Sequence, residues 1–117
     1  MSLNKLVISG RLGQKPMLRE FAGGGAVTNF SIAHTRHKGR GEARQAITEW
    51  YNCSLWDRPA EILCEEAMRG QVITVMGRLV TNTYEKESTK EIVKEIEIEV
   101  EGFELGRLPR AAAEVPK

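Results

Sequence analysis

Two tryptophans, Trp50 and Trp56, lie in the stretch that most favours a β-strand, residues 48–56 (TEWYNCSLW). Aromatic, β-branched and small residues predict the strand, and Asp57 and Pro59 end it. Side chains alternate between the two sides of a strand. One side therefore carries two indole rings with small polar residues between them: Trp50, Asn52, Ser54 and Trp56. The other side can enter a core: Tyr51, Cys53 and Leu55.

The side with the two indole rings has two interpretations. It is either half of a packed interface or a platform on which flat ligands stack. Basic segments precede and follow the strand, and they favour a flat ligand that also carries phosphates. Aromatic rings beside a positively charged surface are typical of proteins that bind single-stranded nucleic acids. The two tryptophans therefore predict stacking of nucleic-acid bases.

Charge is unevenly distributed along the chain, which has 117 residues and a formal net charge of +1. Residues 1–60 contain nine basic and four acidic side chains, whereas glutamates in residues 61–66 and 91–104 make the second half acidic. The local field acts on a ligand more than the net charge does. Residues 35–46 hold five potential cations: Arg36, His37, Lys38, Arg40 and Arg44. This segment is either a solvated hairpin loop or the contact region for an anionic partner.

The sequence lacks the marks of several functional classes. No apolar run is long enough to span a bilayer, and residues 1–15 have no signal-peptide pattern, which predicts a soluble intracellular protein. Cys53 and Cys64 are interpreted as buried free thiols in a reducing compartment. With His34 and His37 they have no zinc-like spacing, so we expect no metal site and no cofactor. No catalytic constellation stands out, and we expect no enzyme.

Apolar periodicity predicts five strands, at residues 4–12, 26–34, 48–56, 71–80 and 95–101. A shorter strand is expected within residues 14–21, before a glycine turn at residues 23–25. The last of the five strands is the clearest. Three apolar residues alternate there with glutamates, which predicts one buried and one solvated side: Ile96, Ile98 and Val100 are the apolar set.

One helix is predicted between the third and fourth strands. It begins at Asp57 or Arg58, with a proline suited to its first turn, and Gly70 is a stop signal. Five short strands with a helix at this place match the oligonucleotide/oligosaccharide-binding barrel, the OB-fold, an all-β class. A small α+β sandwich also fits the pattern. We predict one OB-fold domain over residues 1–105 and a disordered tail over residues 106–117.

Short motifs in the chain resemble one known family. They occur in order and at fitting spacings: Asn4-Lys5, Gly10-Arg11-Leu12-Gly13, Gly25-Ala26-Val27 leading into Asn29-Phe30-Ser31, Thr48-Glu49-Trp50, and Val75-Met76-Gly77-Arg78-Leu79. Together they closely resemble the bacterial single-stranded DNA-binding proteins, the SSB family, over residues 3–104. The resemblance implies an OB-fold, usually a homotetramer, that binds single-stranded DNA without strong sequence preference.

The resemblance assigns three aromatic residues to base stacking: Trp50, Trp56 and Tyr84, the last in a polar loop predicted over residues 81–90. For phosphate contacts we select basic residues around the predicted binding surface, because neutralising phosphates supplies most of the affinity that does not depend on sequence. They are Lys5, Arg11, Arg36, Lys38, Arg40, Arg44 and Arg78.

The chain departs from the family pattern at three places. His37 and Lys38 stand where the family often has a further tryptophan, so that stacking partner is missing or replaced by a weaker one. Tyr51 stands where the family commonly has a histidine near a subunit contact. Many members also carry a long linker and an acidic tip that recruits repair and replication proteins. Without that tip, recruitment of those partners is not expected; either a tail is missing from the sequence or the chain is a specialised relative.

Three functional hypotheses follow. The first is a homotetrameric, cytoplasmic, nucleoid-associated protein that binds and protects single-stranded DNA in replication, recombination and repair. The second is a specialised OB-fold relative, such as a primosome accessory protein or a single-stranded RNA binder, without partner recruitment through an acidic tip. The third is a structural paralogue that lost nucleic-acid binding, which the missing loop tryptophan favours.

Overall fold

A computed structural model of the chain describes residues 2–109. Six strands and one α-helix make up most of this part. The strands are β1 (Leu6–Leu12), β2 (Leu18–Glu20), β3 (Ala26–Lys38), β4 (Gln45–Trp56), β5 (Val72–Glu85) and β6 (Ile92–Leu105). Helix α1 (Asp57–Glu66) connects β4 to β5, and a short 3-10 turn (Gly41–Ala43) connects β3 to β4.

Five of the strands close a barrel. Their order is β1-β5-β6-β4-β3, and β1 pairs with β3 to complete the ring, while the short β2 extends the sheet beside β3. The pairings are antiparallel except that of β4 with β6, where Asn52 lies beside Glu97 and Ser54 beside Glu99. The closed barrel confirms the predicted OB-fold and rules out the α+β sandwich. Its helix lies at the predicted place in the chain.

The core fills the inside of the barrel, where the inward side chains of the strands meet. Large members include Phe30, Ile32, Cys53, Leu55, Ile73, Val75, Ile98 and Val100, and helix α1 adds Ala60 and Leu63. Burying each large apolar side chain contributes about 1.5–3 kcal/mol. The predicted inward side of β4 is therefore confirmed. Burial of Ile96 was predicted wrongly, because β6 has left the barrel at that point and Ile96 is exposed.

A β-bulge in β6 changes which of its residues face the core. Successive residues of β5 pair with Gly102 and then with Val100, so that Glu101 has no partner in the ladder. Val100 and Phe103 consequently both turn inward, although strict alternation would separate them. Gly77 lies opposite Val100, where a β-carbon would collide with a backbone carbonyl of β6. The sequence pattern does not reveal this change of alternation.

About half of each segment predicted as a polar loop, residues 35–46 and 81–90, belongs to a β-ribbon that extends beyond the barrel. Their outermost strand pairs are Lys38 with Gln45 and Glu85 with Ile92. Most side chains on both sides of each ribbon meet water, so the sequence there has no alternation of apolar and polar residues. That absence of a periodic signal is why both loops were predicted too long; the connections between the strands are residues 39–44 and 86–91.

Helix α1 begins at Asp57, as predicted, but ends at Glu66, before Gly70. Asp57 adopts a φ of 60°, and its Oδ1 accepts a hydrogen bond of 3.1 Å from the backbone N–H of Ala26. That bond fixes the start of the helix against β3. Gly70 has a φ of 80° and lies in the following turn, where its N–H donates to the carbonyl of Leu12.

The chain continues along the barrel just past β6. The N–H of Gly106 donates to the carbonyl of Val72 at 2.7 Å, and the N–H of Val72 donates to the carbonyl of Arg107 at 3.0 Å. Residues 110–117 of the predicted tail lie outside the described residues. The division into a domain over residues 1–105 and a disordered tail stays a prediction.

Candidate nucleic-acid interface

The outward side chains of β4 share one surface with those of its two neighbours. Directly paired residues project to the same side of a sheet. From β4 this surface receives Trp50, Asn52, Ser54 and Trp56, the predicted set; from β3 Val27, Asn29, Ser31 and Ala33; and from β6 Glu97 and Glu99. We call this surface the tryptophan face. Ser54 is covered by its neighbours, with 4% of its surface exposed.

Trp50 is the most accessible large ring of the tryptophan face, with 60% of its surface exposed. Its indole lies across Gly13, in the segment between β1 and β2. A methyl group on Gly13 would lie 2.7 Å from Cζ3 of Trp50 and 3.0 Å from Oγ of Ser31. The absent side chain of Gly13 therefore leaves room for the ring to lie in this orientation.

Gly13→Ala is expected to displace the Trp50 ring, because carbon atoms in contact stay about 3.5–4.0 Å apart. We expect altered tryptophan emission in the free protein. Affinity for a ligand stacked on that ring should fall about fivefold, the lower end of what one stacked base contributes. Fluorescence titration measures both effects. Gly23→Ala is the matched control, since nothing lies within 4 Å of its added methyl group. Unchanged emission and affinity in Gly13→Ala would contradict the expectation.

Trp56, at the other end of the tryptophan face, is in contact with a second aromatic ring. Its ring stacks on Phe21, with the ring centroids 5.9 Å apart and the planes inclined by 19°. The guanidinium of Arg19 lies 5.5 Å from the centroid of the Phe21 ring. Trp56 still exposes 49% of its surface. Arg19 and Phe21 thus extend the aromatic and basic surface onto β2 and the residue that follows it.

An open groove of about 420 Å³ lies between the two tryptophans. Its floor consists of Asn29, Ser31, Asn52 and Glu97, and residues 14–17 form its wall. The floor is polar, and by strand register Trp50 and Trp56 lie farther along the same face on either side of the groove, without lining it. This combination can hold flat rings by stacking and contact their edges by hydrogen bonds.

Tyr84 lies on strand β5 and not in a loop. Its position, paired with Val93, puts it on the same side as the tryptophan face by strand alternation. The ring is 45% exposed. Its hydroxyl donates to Oε1 of Glu95 at 3.0 Å, and that hydrogen bond is the main reason that the pKa of Tyr84 is raised. The bond orients the ring at the far end of the surface.

The seven predicted phosphate-contacting residues divide into three groups. Three are ion-paired: Lys5 with Glu101 at 2.8 Å, Arg36 with Glu49 at 3.5 Å, and Arg78 with Glu99 at 2.7 Å. Arg11 donates to the carbonyl of Gly70 at 3.0 Å. The others form no ion pair with any residue in 2–109: Lys38, Arg40 and Arg44. The uncompensated cations therefore gather at the tip of the β3–β4 ribbon.

The β3–β4 ribbon presents different residues on its two sides. His37 pairs with Ala46 and continues the tryptophan face, beyond a pair of threonine hydroxyls 3.0 Å apart. Arg36 and Lys38 alternate with it and lie on the opposite side. Of the two residues that stand where the resemblance leads us to expect a loop tryptophan, only His37 therefore shares the side of Trp50.

Within residues 2–109, no group of three or more histidine, cysteine, aspartate or glutamate side chains is placed to hold a metal ion. Cys53 and Cys64 are both free; Cys53 is buried, whereas Cys64 is only partly so, which corrects the prediction of two buried thiols. Burial, together with the charge of Glu97, raises the pKa of Cys53 to about 12. In the same part of the chain, no helix is long and apolar enough to cross a membrane.

Sequence reasoning missed two residues of this surface, Phe21 and Glu97. An aromatic residue beside Arg19 in a polar segment was an available signal for Phe21. No sequence signal indicated Glu97, because it was one of four alternating glutamates interpreted together as the solvated side of the strand. Instead, Glu97 is half-buried, and its Oε2 accepts a hydrogen bond of 2.7 Å from Ser54.

Comparison with known proteins identifies relatives of this chain. The model of the single-strand binding protein family matches residues 3–105. The single-stranded DNA-binding protein of Enterococcus faecalis is 34% identical over 104 residues, 88% of this chain and 54% of the relative. That of Neisseria meningitidis serogroup A is 36% identical over 86 residues, 73% of this chain and 49% of the relative. The chain thus spans about half the length of the curated relatives it matches.

Solved structures share the fold. A Plasmodium falciparum SSB in complex with ssDNA has a TM-score of 0.77 at 23% identity, covering 90% of this chain and 94% of that one. A deletion mutant of the single-stranded DNA binding protein from Thermus aquaticus has a TM-score of 0.76 at 24% identity. The match covers 93% of this chain and 52% of that one. Both likenesses support the barrel described above.

Proposed function

Because the chain belongs to the single-strand binding protein family, we propose that it binds single-stranded DNA without strong sequence preference and is not an enzyme. One observation carries the proposal: two exposed tryptophans lie on one sheet face, which also carries an open polar groove. Bases stack on Trp50, Trp56 and Tyr84. Stacking is available only to unpaired bases, so duplex DNA is a poor ligand.

Phosphates meet the basic residues around this surface. Lys38, Arg40 and Arg44 act first, because they have no ion-pair partner in residues 2–109. Lys5, Arg36 and Arg78 must exchange a glutamate for a phosphate. Releasing counterions from the strand supplies affinity that is independent of sequence. In a cell, such binding protects unpaired DNA during replication, recombination and repair, at the nucleoid in the cytoplasm.

Fluorescence titration tests this function. Oligo(dT) is expected to quench tryptophan emission, because bases contact both indoles directly, whereas duplex DNA leaves the emission unchanged at the same salt concentration. Tighter binding of oligo(rU) than of oligo(dT) would favour the RNA-binding relative. Absence of binding to all three would favour a structural paralogue and contradict the proposal.

The active form is proposed to be a homotetramer built from dimers. Strand β1 supports this, because it pairs with β5 along most of its length but with β3 only at Arg11 and Leu12. Much of its other edge is open, and Val7 is 70% exposed. Open edge strands invite pairing with a second copy.

Sedimentation equilibrium is expected to report a dimer that associates to a tetramer at micromolar concentration. Val7→Lys puts a charge at the edge of β1 and should shift the equilibrium towards the 13.1 kDa monomer. Because Val7 lies outside the tryptophan face, oligo(dT) binding per chain should persist. A stable monomer in the unaltered protein would overturn the assembly while leaving the binding function intact.

A further inference from the structure

We infer that Glu97 gives the groove between the two tryptophans a preference for cytosine over thymine, through a hydrogen bond from the exocyclic amino group of the base. This inference rests on the proposed binding of single-stranded DNA and adds a base preference to it. It concerns one nucleotide position in the groove. The other stacking positions remain indifferent to the base.

Glu97 is held in a fixed place on the groove floor. It lies beside Asn52 in the parallel pairing of β4 with β6, and its side chain is half-buried. The buried hydroxyl of Ser54 donates to Oε2 at 2.7 Å. Its second oxygen, Oε1, accepts no hydrogen bond from any group in residues 2–109. One acceptor is therefore satisfied, and the other remains available to a ligand in the groove.

The carboxylate is not neutralised by a neighbouring cation. The next two alternate glutamates of β6 are paired, Glu99 with Arg78 and Glu101 with Lys5, but Glu97 has no ion pair within residues 2–109. Lys15 is part of the groove wall, yet its ammonium donates to the carbonyls of Cys64 and Ala67. An unpaired negative charge repels phosphates. A strand crossing the groove consequently presents its base to the floor and its backbone to the outside.

Base chemistry then decides which nucleotide fits. The amino group of cytosine can donate to a carboxylate, whereas thymine offers a carbonyl oxygen at the same position. A thymine in the position of the cytosine would place its carbonyl oxygen against Oε1, and two acceptors facing each other are costly. Its N3–H reaches Oε1 only if the ring shifts along its edge, away from that position. The exposed amides of Asn29 and Asn52 also belong to the groove floor and can bind the remaining base oxygen. Stacking on the tryptophans does not discriminate, so the preference arises from the edge contact.

The unaltered protein allows the first test. Two oligonucleotides of equal length are compared in competition, one with cytosines and one with N4,N4-dimethylcytosines, in a thymine background at mildly alkaline pH. The methyl groups remove the amino donors but keep the ring. We expect binding to weaken about tenfold on methylation, the order of one good base-edge contact. Equal binding of the two oligonucleotides would overturn the inference, while measurable binding of both would leave the proposed function standing.

Glu97→Gln provides the second test. Its amide oxygen can keep the hydrogen bond from Ser54, so the amide nitrogen turns to the groove and the offered group changes from acceptor to donor. The ratio of cytosine to thymine affinity is expected to fall about tenfold. Glu104→Gln is the matched control, because it removes the same charge from β6 outside the groove. An equal rise in affinity for both bases in Glu97→Gln would mean simple repulsion and would overturn the inference. Loss of oligo(dT) binding by the unaltered protein would instead contradict the proposed function.

Discussion

Replacing Trp50 and Trp56 together by alanine is expected to weaken oligo(dT) binding at least about 30-fold, because each stacked base contributes about 1–3 kcal/mol. Both rings are largely exposed, so the fold should survive. The two single substitutions should differ. Trp50→Ala removes an isolated ring, whereas Trp56→Ala uncovers Phe21, on which Trp56 stacks, and leaves a smaller platform for the base. The loss for Trp50→Ala should therefore exceed the loss for Trp56→Ala.

Equilibrium titration with a labelled oligonucleotide measures these losses without relying on tryptophan emission. Met68→Ala is a suitable control, since it removes an exposed apolar side chain beyond the end of helix α1. Adding Phe21→Ala to Trp56→Ala should raise the loss to that of Trp50→Ala. If the double tryptophan variant melts normally and binds with unchanged affinity, the tryptophan face is not the binding surface.

The tip of the β3–β4 ribbon is expected to dominate the salt dependence of binding. For single strands, the logarithm of affinity falls against the logarithm of salt concentration with a slope of about −0.7 per phosphate contacted. Replacing Lys38, Arg40 and Arg44 by alanine should make the slope less steep by about 2 units. The Lys5, Arg36 and Arg78 triple variant should change it less, because each of those cations already has a glutamate partner.

Affinity measured at several salt concentrations gives the slopes. Arg58→Ala with Arg69→Ala serves as the control, because both residues lie near helix α1 and away from the ribbon. If the slope changes more in the Lys5, Arg36 and Arg78 variant than in the ribbon variant, the main phosphate contacts are Lys5, Arg36 and Arg78 and not the ribbon tip. The strand would then run along β1 and β5.

Local alternation in the sequence predicted the barrel and the outward position of both tryptophans. Strand β4 shows why: Cys53 and Leu55 must be buried, and the period of two then puts Trp50 and Trp56 outside. The ribbons could not be predicted in the same way, since neither of their sides is consistently apolar. Tyr84 was therefore assigned to a loop, although β6 pairs with it.

Features that depend on the pairing of strands far apart in the chain could not be predicted from the sequence. The stacking of Phe21 on Trp56 requires β2 to lie beside β3, and the bond between Ser54 and Glu97 requires the parallel pairing of β4 with β6. Composition also does not reveal which of the predicted phosphate-contacting residues form ion pairs with glutamates and which do not. Residue types indicated the class of ligand, and the pairing of strands determined which side chains face it.

The bulge at Glu101 constrains how this chain can change in length. Removing Glu99, just before the bulge, would exchange the two sides of the preceding part of β6, turning Glu97 inward and Ile98 outward. An odd-numbered insertion there would do the same. In contrast, residues 86–91 join two solvated strand ends, and extra residues there lengthen the ribbon without disturbing the barrel. Insertions and deletions should thus be tolerated at the ribbon tip and rejected where β6 lines the barrel, so the reach of the protein along its ligand can vary while its groove stays the same.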